Sequence, residues 1–183
     1  MRRRPARGAF VAALALLGVL TPLVSEGQPA SEYEVKGAFI ARFASFIEWP
    51  TDTFQEPTSP LTVCVAGKSA FDSGLAATIN SSRVGERPLR AERHTPTSRC
   101  HILFVAASDQ KNMAAILPTL GDATVTVGEQ ARFLETGGAI EFRADGNRLQ
   151  FDVNLPVIER AKYRISSKLL VLARPTGAAT SRK

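Results

Sequence analysis

Apolar residues near the start of the chain recur at steps of four and three: Val35, Phe39, Phe43 and the pair Phe46/Ile47. That spacing places them on one face of a helix and predicts Val35, Phe39, Phe43 and Ile47 as core, leaving Lys36, Arg42, Ser45 and Glu48 for water. Ser31 and Glu34 have the spacing of a capping box, which satisfies two otherwise orphaned backbone donors where the helix begins. Trp49 precedes Pro50, which disfavours the α region before it and lacks the N–H needed to continue, so the helix is expected to end near Glu48.

The pattern then changes period. Residues 61–66 form a nearly continuous β-branched run, as in a strand covered on both faces, and Gly67 ends it. Ser69 or Asp72 can start a helix carrying Phe71, Leu75 and Ile79. Residues 85–94 read as a second strand, with Pro88 arguing for an edge or a strand start. Residues 100–106 repeat the buried-strand pattern, and 109–120 follow as a helix with Met113, Ile116, Leu117 and Leu120 inward. Residues 125–128 are a short strand and 129–135 a short helix, stopped at Gly137-Gly138 by a left-handed cap. Alternation in 139–143 and 149–153 around Asp145-Gly146-Asn147 predicts a hairpin with one wet face. A helix over 155–160 leads to a last apolar segment over 165–173. The fold class this predicts is α/β: a mostly parallel central sheet with helices on both faces and an antiparallel hairpin at one edge.

Ahead of Ser31 stand Arg2, Arg3, Arg4 and Arg7, then an apolar run over 8–24 broken by Pro22. This is the layout of a secretory signal peptide, with a cut expected after Gly27 and Ala30 as a second candidate; an uncleaved anchor is the alternative. The expected organisation is a signal peptide over 1–27, one domain over 28–175 and a flexible tail over 176–183. Losing residues 1–27 removes four Arg and one Glu and lowers the formal charge from +6 to +3, so most of the basicity belongs to targeting. The remaining cations are interspersed with acids, and no basic face with stacking aromatics points to nucleic acid. The exported chain keeps two cysteines, Cys64 and Cys100, which in an oxidising compartment are expected to pair. Both fall on runs that can be neighbouring strands, and the loop of about 36 residues closed by the bridge stabilises by roughly 3 to 4 kcal/mol.

Candidate chemistry is sparse. Two histidines, His94 and His101, do not make a metal site, and no cofactor is implied. No G-x-S-x-G elbow is present, and Cys100 and His101 are adjacent on a strand, where side chains point to opposite faces. Gly67-Lys68-Ser69 resembles the end of a phosphate loop, but Thr62 stands where that loop needs its first glycine. Glu141 and Asp152 are carboxylates expected on the solvated face of the hairpin. The thin spread of polarity favours a binding or regulatory protein over an enzyme.

Several stretches together resemble the YfiR-like family of periplasmic regulators. They are Tyr33-Glu34-Val35-Lys36-Gly37-Ala38-Phe39 with Phe43, Phe46 and Glu48-Trp49-Pro50, then LTVCVAG at 61–67, GERPL at 85–89, CHILFV at 100–105, GGAIEF at 137–142 and ISSKLLVLA at 165–173. The resemblance implies a periplasmic protein, without catalysis, that binds the periplasmic domain of an inner-membrane diguanylate cyclase and holds it inactive, and it implies a homodimer. Some members carry a second cysteine pair around the hairpin; Glu141 and Gln150 occupy that neighbourhood here, so redox regulation through such a pair is not expected. Arg143, Arg148, Tyr163 and Arg164, on the hairpin and C-terminal segment, are the candidate partner-binding residues, since arginine and tyrosine are enriched at interface hot spots. Two alternatives stay open. One is a small-ligand sensor with its pocket at the carboxyl ends of the parallel strands, near Gly67 and 106–109; the other is a small periplasmic hydrolase.

Overall fold

The computed structural model describes residues 31–174 apart from Pro57 and Asn147, and the backbone alone of Gln110. The expected signal peptide with its cleavage site and the expected tail therefore lie outside the described residues.

The elements in chain order are α1 (Glu32–Ala44), β1 (Ile47–Glu48), β2 (Leu61–Ala66), α2 (Lys68–Ala70), α3 (Ala76–Asn80), β3 (Arg83–Val84), β4 (Arg87–Arg93), β5 (Ile102–Val105), α4 (Met113–Ile116), β6 (Val125–Gly128), β7 (Ile140–Asp145), β8 (Arg148–Val153), α5 (Leu155–Arg160), β9 (Arg164–Ile165) and α6 (Ser167–Leu172). Seven strands form one sheet in the order β3-β4-β2-β5-β6-β7-β8. The inner five are parallel, and both edges, β3 on β4 and β8 on β7, are antiparallel. The fold is thus the expected α/β class, with a second antiparallel edge that the sequence did not announce. Pro88 sits where β4 has run past β2 and faces only the two-residue β3, so its missing N–H leaves the parallel ladder intact.

Alternation along the inner strands supplies two cores. Val63, Val65, Ile102, Phe104, Val125 and Val127 face α1 and α3, whereas Cys64, Ala66, Leu103 and Val105 face Met113 and Phe133. The second core admits the Phe133 ring because positions 128 and 138 are glycines. A Cβ there would lie 2.4 Å and 2.2 Å from that ring.

The first helix begins as expected, with both hydrogen bonds of the Ser31/Glu34 capping box formed. It ends at Ala44, not near Glu48, because residues 47 and 48 are drawn out as β1 against β9, pairing Ile47 with Ile165 and Glu48 with Arg164. Its buried face is also rotated: Lys36, Gly37, Ile40, Phe43 and Ala44 are buried, Ile47 is buried in β1, while Val35 and Phe39 are only partly covered. Lys36, expected in water, lies in an ionic cluster with Glu32 and Glu129, and Glu129 also accepts from the Tyr33 hydroxyl (3.1 Å) and the Ala107 N–H (2.8 Å). A buried ammonium is tolerable only with such partners. The helix approaches α3 closely at Gly37, where a Cβ would stand 3.0 Å from the Leu75 carbonyl and from the Thr78 Cβ.

Three other helices are more broken than their periodicity predicts. The 69–80 segment is interrupted at Ser73 and Gly74, with Gly74 at φ 93°. The 109–120 segment is α-helical only over α4 and otherwise 3-10, with Pro118 in its last turn. Residues 129–136 make turns and a single 3-10 turn closed by left-handed Gly137.

Candidate partner-binding surface

Helix α6 starts where the Ser166 side chain accepts the Lys168 N–H and runs six residues. It buries Leu169 in the core but leaves Val171 82% and Leu172 62% exposed. Beside it is a groove of about 550 Å³ between α1 and the β8 edge, walled by Phe39, Phe43, Leu149, Phe151, Leu169 and Leu172. Its aromatic floor is mutually packed, with Phe43 4.8 Å from Phe151 and Phe39 6.1 Å and 6.4 Å from Phe43 and Phe151, in edge-on arrangements that aromatic quadrupoles favour. Arg42, over the Phe46 ring, and Arg174 are the charged side chains lining the groove.

Arg174 fastens the end of this segment to the sheet edge. Its N–H donates to the Phe151 carbonyl (3.0 Å) and its Nε lies 3.2 Å from Asp152 Oδ1. Asp152 and its cross-strand partner Glu141 are not on a wet face: they are 4% and 1% exposed. Arg143 covers both, 2.5 Å from Asp152 and 3.1 Å from Glu141, and Glu141 also accepts the Leu134 N–H. The hairpin face expected to be solvated is therefore a buried ion cluster, closed by the loop after β6. Asp152 holds the Arg143 guanidinium pKa above its ordinary value. Two carboxylates on one strand pair are destabilising unless cations reach them, and Arg143 at the next same-face position of β7 supplies one.

The four sequence-nominated partner residues are not brought together. Arg143 belongs to the ion cluster, on the face of the hairpin opposite Phe142. Arg148 is exposed at the turn end of β8, and Arg164 is exposed where β9 pairs with β1. Tyr163 is a correction: it is 3% exposed, packs in the main core and has its phenol pKa pushed up to about 12 by burial, so its ring offers nothing to a partner. Val171 and Leu172 were missed. The only signal for them was the apolar run LLVLA in a helix too short to bury all its faces.

Cys64 and Cys100 form a disulfide with Cα atoms 5.6 Å apart. Cys64 lies on β2, but Cys100 precedes β5 and does not belong to a strand, so the bridge joins a strand to a crossover. Both β4 and β5 neighbour β2, so the 94–101 connection must pass over β2, and the disulfide pins it to the face that carries Cys64.

The pocket of the ligand-sensor reading is present as a small cleft at the carboxyl ends of the strands. At the carboxyl ends of the strands, Gly67 (φ 125°) closes against Ala106, where a Cβ would stand 2.5 Å from the Ala106 Cβ. The cleft there, near Lys68, His94 and Asp109, is about 330 Å³. A larger one of about 700 Å³ opens at the opposite, amino ends, beside Phe54, Thr62 and His101. Among the described residues no group of three or more His, Cys, Asp or Glu could hold a metal ion, and no helix is long and apolar enough to cross a membrane.

A family model described as YfiR/HmsC-like matches residues 33–174, which spans α1 through Arg174 and so includes the groove, the ion cluster and the disulfide. The chain belongs to the YfiR/HmsC-like family.

Proposed function

We propose that this protein is a non-catalytic periplasmic regulator that binds the periplasmic domain of an inner-membrane diguanylate cyclase and holds it inactive. Family membership supports the reading, and the observation that carries it onto this chain is the apolar groove with Val171 and Leu172 beside it. Exposed contiguous apolar side chains flanked by cations are what an interface uses. Repression is a difference in affinity for two states of the cyclase. A 100-fold preference needs about 2.7 kcal/mol, and fully burying one Val or Leu side chain supplies roughly 1.5 to 3 kcal/mol. Val171 and Leu172 closing onto the inactive state alone are thus of the right order.

The reading includes export with removal of residues 1–27, a mature domain over 28–175 with a tail over 176–183, and action without cofactor or metal. The disulfide, at home in an oxidising compartment, supports export. It also includes a homodimer, which size measurement of the purified protein tests. Deleting the gene should raise cyclic-di-GMP, and the rise should vanish when the partner cyclase is deleted as well. Unchanged cyclic-di-GMP on deletion would reject the proposal.

A further inference from the structure

His101 is built into a stack at the amino ends of β2 and β5. Its ring lies 4.7 Å from the Phe54 ring at an interplanar angle of 10°, and the Arg87 guanidinium lies over the Phe54 ring, 3.6 Å from its centroid. Trp49 meets His101 edge-on at 6.2 Å, and its indole N–H donates to the Ala123 carbonyl. The Thr62 N–H donates to His101 Nδ1 at 2.9 Å, while the His101 N–H donates to the Thr62 carbonyl at 3.0 Å. A ring nitrogen that accepts must carry a lone pair, so the proton of this imidazole sits on Nε2. An imidazolium has two N–H groups and cannot accept the Thr62 bond. Phe54, Thr62 and His101 together form part of the wall of the 700 Å³ cleft.

We propose that His101 is a proton-sensitive latch: neutral, it accepts the Thr62 N–H and holds the amino end of β2 beside the cleft and the Trp49 and Phe54 rings, and protonated, it gives up that bond. The charged groups around it are Arg87 from β4, Asp52 from the turn after Pro50 and Arg99 from the β4–β5 connection, the last two lining the same cleft. No carboxylate pairs with His101 among the described residues. Burial lowers the His101 pKa from 6.5 and the Arg87 charge acts in the same direction, together outweighing the Thr62 and Thr53 backbone contacts, which raise it. The sign follows: the native state binds fewer protons than the unfolded chain in this window, so the latch's contribution is complete above the unfolded value of 6.5 and lost as pH falls through the lower folded value.

The chain contains one tryptophan, Trp49, which serves as the reporter. In the mature protein, Trp49 emission and the Thr62 amide resonance should change together between pH 7.5 and 4.5, with a midpoint below 6.5. The change should persist in His94→Asn and Asp52→Asn. It should disappear in His101→Asn, whose side-chain carbonyl can accept the Thr62 N–H at every pH. If that variant does not fold, direct titration of the His101 ring nitrogens in the unaltered protein decides: Nδ1 must gain its proton at the same midpoint. A flat emission and amide response, or the same titration in folded His101→Asn, overturns the proposal.

Discussion

Helices α1 and α6 lie on the same side of the sheet and touch the same aromatic cluster, yet their surfaces end differently. Helix α1 has 13 residues, a complete capping box and a buried stripe from Lys36 to Ala44. Helix α6 has six residues, buries Leu169 and turns Val171 and Leu172 to water. Short helices gain little from their own hydrogen bonds and rely on packing. One that packs through Leu169 and half-buried Leu170 while exposing Val171 and Leu172 is poorly explained by stability alone. The contrast makes α1 part of the fold and leaves α6 as the surface on which the proposed recognition rests.

That contrast orders the expected effects of mutation. Phe43→Ala should cost about 3 to 5 kcal/mol in urea unfolding, since the ring is enclosed between helix and hairpin. Replacing both bridge cysteines by alanine should cost roughly 3 to 4 kcal/mol by freeing the unfolded chain, and it should leave the groove unaltered, because the bridge is on the opposite face. Phe39→Ala should cost about 2 kcal/mol, less than Phe43→Ala, because that ring already faces the groove on one side. A cost for Phe39 equal to that of Phe43 would erase the distinction between core and groove floor. Val171→Asp and Leu172→Asp should each change stability by less than about 0.5 kcal/mol, as for surface positions generally.

Much of this was legible in the sequence, and the failures have specific causes. The strands at 61–66, 102–105 and 125–128 and the hairpin announce themselves, because a buried strand must be apolar on both faces and a hairpin needs a tight turn, here entered at Gly146 with φ 57°. The capping box was readable because it depends on two residues three apart. Lys36, Glu141 and Asp152 were misplaced for a common reason: periodicity counts polarity, whereas these charges are buried by packing and by ion partners it does not register, Glu129 and Arg174 from far along the chain and Arg143 within the hairpin. Tyr163 was nominated from residue-type frequencies, which carry no information about burial. The end of α1 was misjudged because β9, over 100 residues later, pulls residues 47 and 48 out of the helix. The groove was invisible because it is made by three elements that meet only in the folded chain.

The central claim, that α6 is a recognition helix on a stable scaffold, is tested most directly by measuring binding of the purified mature protein to the periplasmic segment of the partner cyclase, using unaltered protein and the Val171→Asp/Leu172→Asp double variant side by side. The account predicts that the variant unfolds within about 1 kcal/mol of the original and loses at least about tenfold in affinity, the equivalent of 1.4 kcal/mol. Unchanged affinity in a folded variant would contradict it.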